Sequence, residues 1–196
     1  MFNKLFLACA CVLLSGIAHE ALADDIAFEE AKAAYIMPLA EKSLLTDVQK
    51  VNNKFFVAVG ERGHILLSPD GNEWQQAIVP VQSMLTAVHF TDELHGWAVG
   101  HDAVILKTRD GGSSWQLQQF IPEEDKPLLD VYFRDNQRGI AVGAYGLFYT
   151  TTDGGDTWEQ ALFIELAAEE DKEYLLELQQ TDPEGYRTEL TSILPH

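Results

Sequence analysis

From position 44 onward, short runs rich in β-branched and aromatic residues alternate with Gly, Asn and Asp punctuation. The runs come in sets of four. The first set is 44–51, 55–59, 64–68 and 74–79. The second is 85–90, 96–99, 104–108 and 115–120, and the third is 128–133, 139–142, 147–151 and 158–163. Several are apolar at consecutive positions, as in Phe55-Phe56-Val57 and Ile65-Leu66-Leu67. A strand with one solvated face alternates, so these runs predict strands buried on both faces. Two stretches outside the sets carry helical signals. Residues 26–35 set Glu29, Glu30 and Lys32 among alanines, with Pro38 as a stop. Residues 165–180 let Leu166, Tyr174, Leu175 and Leu178 share one helix face. Asp182-Pro183-Glu184-Gly185 reads as a turn, and residues 190–196 as the start of a further inner strand.

The three sets are repeats. Each carries one phrase between its third and fourth runs: Ser68-Pro69-Asp70-Gly71-Asn72-Glu73-Trp74, then Thr108-Arg109-Asp110-Gly111-Gly112-Ser113-Ser114-Trp115, then Thr151-Thr152-Asp153-Gly154-Gly155-Asp156-Thr157-Trp158. A period of about 40–45 residues with turn residues and aromatics marks β-propeller blades, each of four antiparallel strands. The expected fold is all-β: a partial propeller of three four-stranded antiparallel blades, with short helical segments at both ends. The expected divisions are a signal peptide at 1–23, a helical lead-in at 24–43, blades at 44–83, 84–127 and 128–165, and an acidic helix with the stub of a further blade at 166–196. Propellers close with about four to eight blades. Three imply a fragment of a longer propeller, the reading adopted, or copies that associate to complete a ring. Strands two and three of each blade meet at Ala58-Val59-Gly60, Ala98-Val99-Gly100 and Ala141-Val142-Gly143, where glycine is expected to supply a positive φ for a tight turn.

The leader changes the compartment. Lys4 is a basic n-region, residues 5–17 are an apolar h-region, and Ala21-Leu22-Ala23 is a cleavage site, so the mature chain is expected to begin at Asp24. Cys9 and Cys11 lie in the leader without a convincing lipobox, and cleavage removes both. That excludes disulfides, thiolate metal sites and a cysteine nucleophile. No second apolar stretch is long enough to span a bilayer. The expectation is a soluble exported protein, periplasmic or, in a photosynthetic source, in the thylakoid lumen, with no direct membrane insertion after cleavage. The net charge of −18 repels phosphate backbones and anionic lipid, which excludes nucleic acid as a partner. Solubility accounts for the charge, and attraction to a basic partner is the sharper reading.

The repeated phrase is the Asp-box, or bacterial neuraminidase repeat. Its second and third copies match in full, and the first is one residue shorter. Its residues are Asp70, Gly71 and Trp74, Asp110, Gly112 and Trp115, and Asp153, Gly155 and Trp158. The expected role is structural. The Asp accepts turn N–H groups, the Gly takes the left-handed position, the Ser/Thr hydroxyl adds a local bond, and the Trp starts strand four and packs under the turn. The boxes lack the alternating oxygen ligands and distal Glu of a calcium loop. His19, His64, His89, His95, His101 and His196 show no zinc spacing, and His89 reads as a core residue on an inner strand. No metal or cofactor is implied.

The likeness extends beyond the boxes. Leu85-Thr86-Ala87-Val88-His89-Phe90, Gly96-Trp97-Ala98-Val99-Gly100 and Ile105-Leu106-Lys107-Thr108 resemble the photosystem II stability/assembly factor-like propeller family. Leu129-Asp130-Val131-Tyr132-Phe133 with Gly139-Ile140-Ala141-Val142-Gly143 repeats the pattern. The resemblance covers about 44–163 and implies a non-enzymatic assembly factor that holds a protein partner, such as a membrane-protein complex. Photosynthetic members of that family are associated with a basic binding patch.

In an alternating sheet the Asp-boxes lie at one end of the propeller and the turns between strands two and three at the other. Residues that differ among those turns are the site candidates: Glu61 and Arg62, His101 and Asp102, Ala144 and Tyr145. Arg62, His101, Asp102 and Tyr145 are expected to ring one mouth, with residues 122–127 adding an acidic rim. Two functions stand. The first is an exported protein-binding or assembly propeller without catalysis. The alternative is a sialidase-like glycoside hydrolase, which needs an arginine cluster with a Tyr nucleophile and its Glu partner. Arg62, Arg109, Arg134, Arg138 and Arg187 are the whole arginine supply for that cluster.

Overall fold

The computed structural model describes residues 31–161, 168–183, 185–186 and 188–189. Twelve strands form three antiparallel four-stranded sheets, each built from consecutive strands. Blade 1 holds β1 (Leu45–Val51), β2 (Phe55–Gly60), β3 (Ile65–Ser68) and β4 (Gln75–Gln76). Blade 2 holds β5 (Leu85–Phe90), β6 (Gly96–Gly100), β7 (Ile105–Thr108) and β8 (Gln116–Gln119). Blade 3 holds β9 (Leu128–Phe133), β10 (Gly139–Gly143), β11 (Phe148–Thr151) and β12 (Glu159–Gln160). The predicted runs match the observed strands to within one residue at each end, except that the fourth strands are shorter and begin one residue after the box tryptophan. Residues 162 and 163 of the last predicted run, and 190–196, lie outside the described residues.

Packing between blades makes the core. Val57, Val59 and Ile65 of blade 1 meet Val88, Ala98 and Leu106 of blade 2. Trp97, Val99 and Ile105 of blade 2 meet Val131, Ala141 and Tyr149 of blade 3. Blade 2 is therefore covered on both sides, and every residue of β6 and β7 is buried. Blade 3 has a covered face and an open one. Leu129, Tyr132 and Ile140 are 52%, 54% and 38% exposed, at the register positions held in blade 2 by Thr86, His89 and Trp97.

Polar side chains tie the inner strands across each seam. The β1–β2, β5–β6 and β9–β10 registers slip at the second residue of the inner strand. Such a bulge re-aims its side chain. Thr46 Oγ1 donates to Leu85 O and Thr86 Oγ1 to Leu128 O, both at 2.7 Å. Gln49 brackets Phe90, its Oε1 accepting from Phe90 N at 2.6 Å and its Nε2 donating to Phe90 O at 3.2 Å.

Three local expectations are corrected. Residues 31–37 contain no helix, and residues 24–30 lie outside the described part. Instead the segment is strapped to the edge of blade 1. Ala34 N donates to Val79 O at 2.9 Å, and the Gln76 and Gln82 amides donate to Tyr35 O and Ala33 O. A 3-10 turn at Ala40–Lys42 follows, with Ala40 buried against Ala58 and Leu66. The backbone bonds to glutamine amides and the adjacent strand outweigh the intrinsic helix preference of the alanines. At the C-terminal end, α1 (Glu169–Thr181) forms as predicted, but Tyr174 is half exposed while Leu175 is fully buried, and Leu166 is outside the described residues. Asp182 does not open a turn. Its Oδ1 accepts from Gly185 N at 3.0 Å and its O from Tyr186 N at 2.8 Å, the bonds of a helix N-cap with Pro183 at the first position.

The third correction concerns Gly60, Gly100 and Gly143. Their φ angles are not in the left-handed region; Gly60 is extended at φ −177°. Positive φ falls instead on Arg62, Asp102 and Tyr145, two residues later. The glycines serve close approach. A Cβ at Gly60 or Gly100 would lie 2.1 Å from Leu44 O or Met84 O.

Candidate partner-binding face

The box turns bond to the loops between the first and second strands: Gly111 N donates to Leu94 O, and Gly154 N to Gln137 O. The turns between second and third strands bond to the connections between blades. Glu61 N donates to Leu44 O, His101 N to Met84 O, and Ala144 N to Pro127 O. Boxes and variable turns therefore occupy opposite ends.

Each box is closed by its own side chains. In the second, Thr108 Oγ1 accepts from Gly112 N at 3.0 Å and donates to Asp110 Oδ1 at 2.8 Å. Asp110 Oδ1 accepts from Ser114 N at 3.0 Å, and Oδ2 from Ser114 Oγ at 2.6 Å. Thr151, Asp153, Gly155 and Thr157 repeat this in the third. In the shorter first box, Ser68 Oγ accepts from Gly71 N, and Asp70 Oδ1 from Asn72 N and Glu73 N. Those N–H groups hold Asp70 down to about 2, the Asn72 bond foremost. The Thr157 hydroxyl and N–H hold Asp153 well below the usual carboxylate range. Partial burial pushes Asp110 up, but the Ser114 bonds outweigh it and leave it low. The tryptophans differ in what they bond. Trp115 Nε1 donates to Gly112 O within its own box. The indole of Trp97 crosses to the next blade, donating to Gly154 O at 2.9 Å while its ring stacks on Phe133.

At the opposite end, Arg62, Asp102 and Tyr145 sit at equivalent places in their turns with φ near 60°. Arg62, His101 and Tyr145 are exposed. Asp102 is engaged, its Oδ2 accepting from Ser83 Oγ at 2.5 Å and its O from Ile121 N at 2.8 Å. Sequence reasoning did not flag Ser83, which lies in a connection without a motif. The segment 122–127 adjoins this turn through Ala103 N to Lys126 O, and Glu123 and Asp125 are exposed there.

The arginines do not gather among the described residues. Arg62 is at the variable-turn end. Arg109 bonds to Gln116 and Asp156 beside the third box. Arg134 and Arg138 flank Asp135 in the loop between β9 and β10. Arg187 lies outside the described part. His89 is half-buried with Nε2 3.1 Å from Phe133 O, and burial keeps it below its ordinary pKa. Among the described residues no three His, Asp or Glu side chains converge as a metal set, and no helix is long and apolar enough to cross a membrane.

Radially packed four-stranded sheets with an Asp-box at one end of each define an Asp-box β-propeller, present here as three blades. The chain belongs to the family described as "Photosynthesis system II assembly factor YCF48", which matches residues 66–126 and 118–196. It is 46% identical over 48 residues to the photosystem II assembly protein Ycf48 of a Synechococcus strain, covering 24% of this chain and 14% of that protein. It is 35% identical over 71 residues to the chloroplastic photosystem II stability/assembly factor HCF136 of Cyanidioschyzon merolae, covering 33% and 16%. A solved structure described as YCF48 bound to D1 peptide superposes with a TM-score of 0.54 at 22% identity, over 66% of this chain and 43% of that one. YCF48 from Cyanidioschyzon merolae gives a TM-score of 0.53 at 24% identity, with the same coverage. The matches thus span less than half the length of these relatives. The relatives carry names of assembly factors rather than of enzymes, and those names include chloroplastic and lipoprotein forms.

Proposed function

We propose that the chain is a non-enzymatic, exported protein-binding propeller that acts in assembly of a membrane-protein complex, gripping its partner at the variable-turn end. The observation that carries this is the contrast between the two ends. At one end the repeated side chains are consumed by bonds inside their own boxes. At the other, three turns of equal backbone shape present unlike groups: a guanidinium at Arg62, a carboxylate beside an imidazole at Asp102 and His101, and a phenol at Tyr145. A rigid frame that varies only its loops is how scaffolds carry recognition. Family membership and the relative described as bound to D1 peptide support a protein as the ligand. The leader supports export to the periplasm or a thylakoid lumen. The proposed divisions are the leader at 1–23, a lead-in at 24–43, blades at 44–83, 84–127 and 128–165, and a C-terminal segment at 166–196.

Capture from envelope extract tests this. The immobilised mature chain is expected to retain a protein partner in stoichiometric amount. Arg62→Asn/His101→Ala/Asp102→Asn/Tyr145→Asn is expected to release it; asparagine tolerates the left-handed backbone at three of those sites. Recovery of no stoichiometric partner under several conditions, or turnover of a fluorogenic sialoside by the pure protein, overturns the reading.

A further inference from the structure

At the box end, in the seam between blades 1 and 2, an open cavity of about 690 Å³ is lined by Phe55, Leu67 and Trp74 together with Glu73, Glu93 and Asp110. Its counterpart in the next seam shows what such a place holds. Leu67 opposite Val57 corresponds in register to Lys107 opposite Trp97. Pro69 and Ser113 take the box positions of Arg109 and Asp156. In the seam between blades 2 and 3, Lys107 Nζ lies 2.8 Å from Asp156 Oδ1, and Arg109 Nη2 lies 2.6 Å from the same oxygen. The Lys107 side chain is only 5% exposed. That seam is plugged by the chain's own cations.

The seam between blades 1 and 2 lacks both cations and the carboxylate they share, since Leu67, Pro69 and Ser113 stand in their places. Its carboxylates are instead Glu73 and Glu93 at the rim, with Asp110 bonded inside its own box. Lys54 meets Glu93 at 2.7 Å, but both partners are solvent-exposed. Such a pair contributes little and gives way readily. A charged group with a long apolar stem suits the remaining lining: the stem lies along leucine and aromatic rings, and the charge meets carboxylates.

We infer that this cavity is a docking site for an arginine or lysine side chain of a partner protein, whose cation takes the place that Lys107 and Arg109 fill one seam further on. The site lies at the end opposite the variable turns and stands independently of the function proposed there. It also gives the chain's net negative charge of 18 a local use.

The test is calorimetric titration of the mature chain with the peptide acetyl-Gly-Gly-Arg-Arg-Gly-Gly-amide and with its uncharged citrulline counterpart. The arginine peptide is expected to bind and the citrulline peptide not. Glu73→Gln/Glu93→Gln is expected to weaken binding about tenfold, as loss of charge partners at a docking pocket does. Leu67→Lys installs the residue of the sister seam and is expected to block binding. The Glu73→Gln/Glu93→Gln protein alters surface carboxylates and carries the test whether or not Leu67→Lys folds. Equal affinity for both peptides, no binding of the arginine peptide at millimolar concentration, or undiminished binding by Glu73→Gln/Glu93→Gln overturns the proposal. The last result would mean diffuse attraction to net charge. Substitutions at Arg62, His101, Asp102 and Tyr145 are expected to leave this titration unchanged.

Discussion

His64 is a fully buried imidazole with neither ring nitrogen bonded among the described residues. Burial keeps its pKa below the ordinary value of 6.5. The unfolded chain therefore binds a proton at His64 at a higher pH than the folded chain does, and folding stability rises with pH through that window. Stability is expected to be full above about pH 6.5 and to fall below it, by up to about 1.4 kcal/mol per pH unit from His64. The half-buried His89 acts in the same direction. The box carboxylates have lowered values, so their contribution is lost only below about pH 4. Denaturant titrations of the wild type and His64→Leu between about pH 7 and pH 5 check this: the substitution should flatten the slope, and an unchanged slope would place the titration elsewhere. At this scale the sequence was most legible in the boxes. An Asp, a Gly and a hydroxyl within five residues specify their own turn, and the side-chain bonds that close it are local. Gly60 was misread because its requirement is not local. The oxygen that forbids a side chain there belongs to Leu44, on the connection leading into the blade.

Strands were legible because blade packing leaves runs of apolar residues, yet the seams that join the blades were not. Thr46 and Thr86 look like ordinary strand residues; only a bulge turns them across to Leu85 and Leu128. The N-terminal strap resembles a helix in sequence, since its alanines and charged residues fit one. The glutamines that capture its backbone lie 41 and 49 residues away. Lys107 stood in an apolar strand with no visible partner, and Asp156 supplies one from the next blade. That pair makes the seam between blades 2 and 3 asymmetric in its response to substitution. Asp156→Asn leaves a buried ammonium uncompensated and is expected to cost about 2 kcal/mol, less than for a fully buried pair because Asp156 is half exposed. Lys107→Met leaves a carboxylate that keeps Arg109 and water, and is expected to cost less than about 1 kcal/mol. Chemical denaturation of the two variants decides it, and equal costs would contradict the account of the seam.

For the molecule as a whole, the repeat period determined the architecture, and the two ends follow from alternating strand direction. The cavity beside the first box was not legible. It arises from what Leu67, Pro69 and Ser113 lack relative to their counterparts, a difference meaningful only once the blades are superposed. Nor did the sequence show which face of blade 3 is open, because Leu129, Tyr132 and Ile140 read as ordinary strand residues. The central claim is that repeated residues build blades and unlike residues at equivalent turns do the binding. Exchanging Glu61 and Arg62 with His101 and Asp102 tests it most directly, since Arg62 and Asp102 share one backbone conformation, at φ 58° and 60°. Composition and charge are conserved by the exchange, and apart from the bond between Asp102 and Ser83 only the arrangement of the mouth changes. Partner capture by the exchanged protein is the measurement. The account predicts capture lost with a melting temperature lowered only slightly, by loss of the Asp102–Ser83 bond; capture at wild-type strength by the exchanged protein would contradict it.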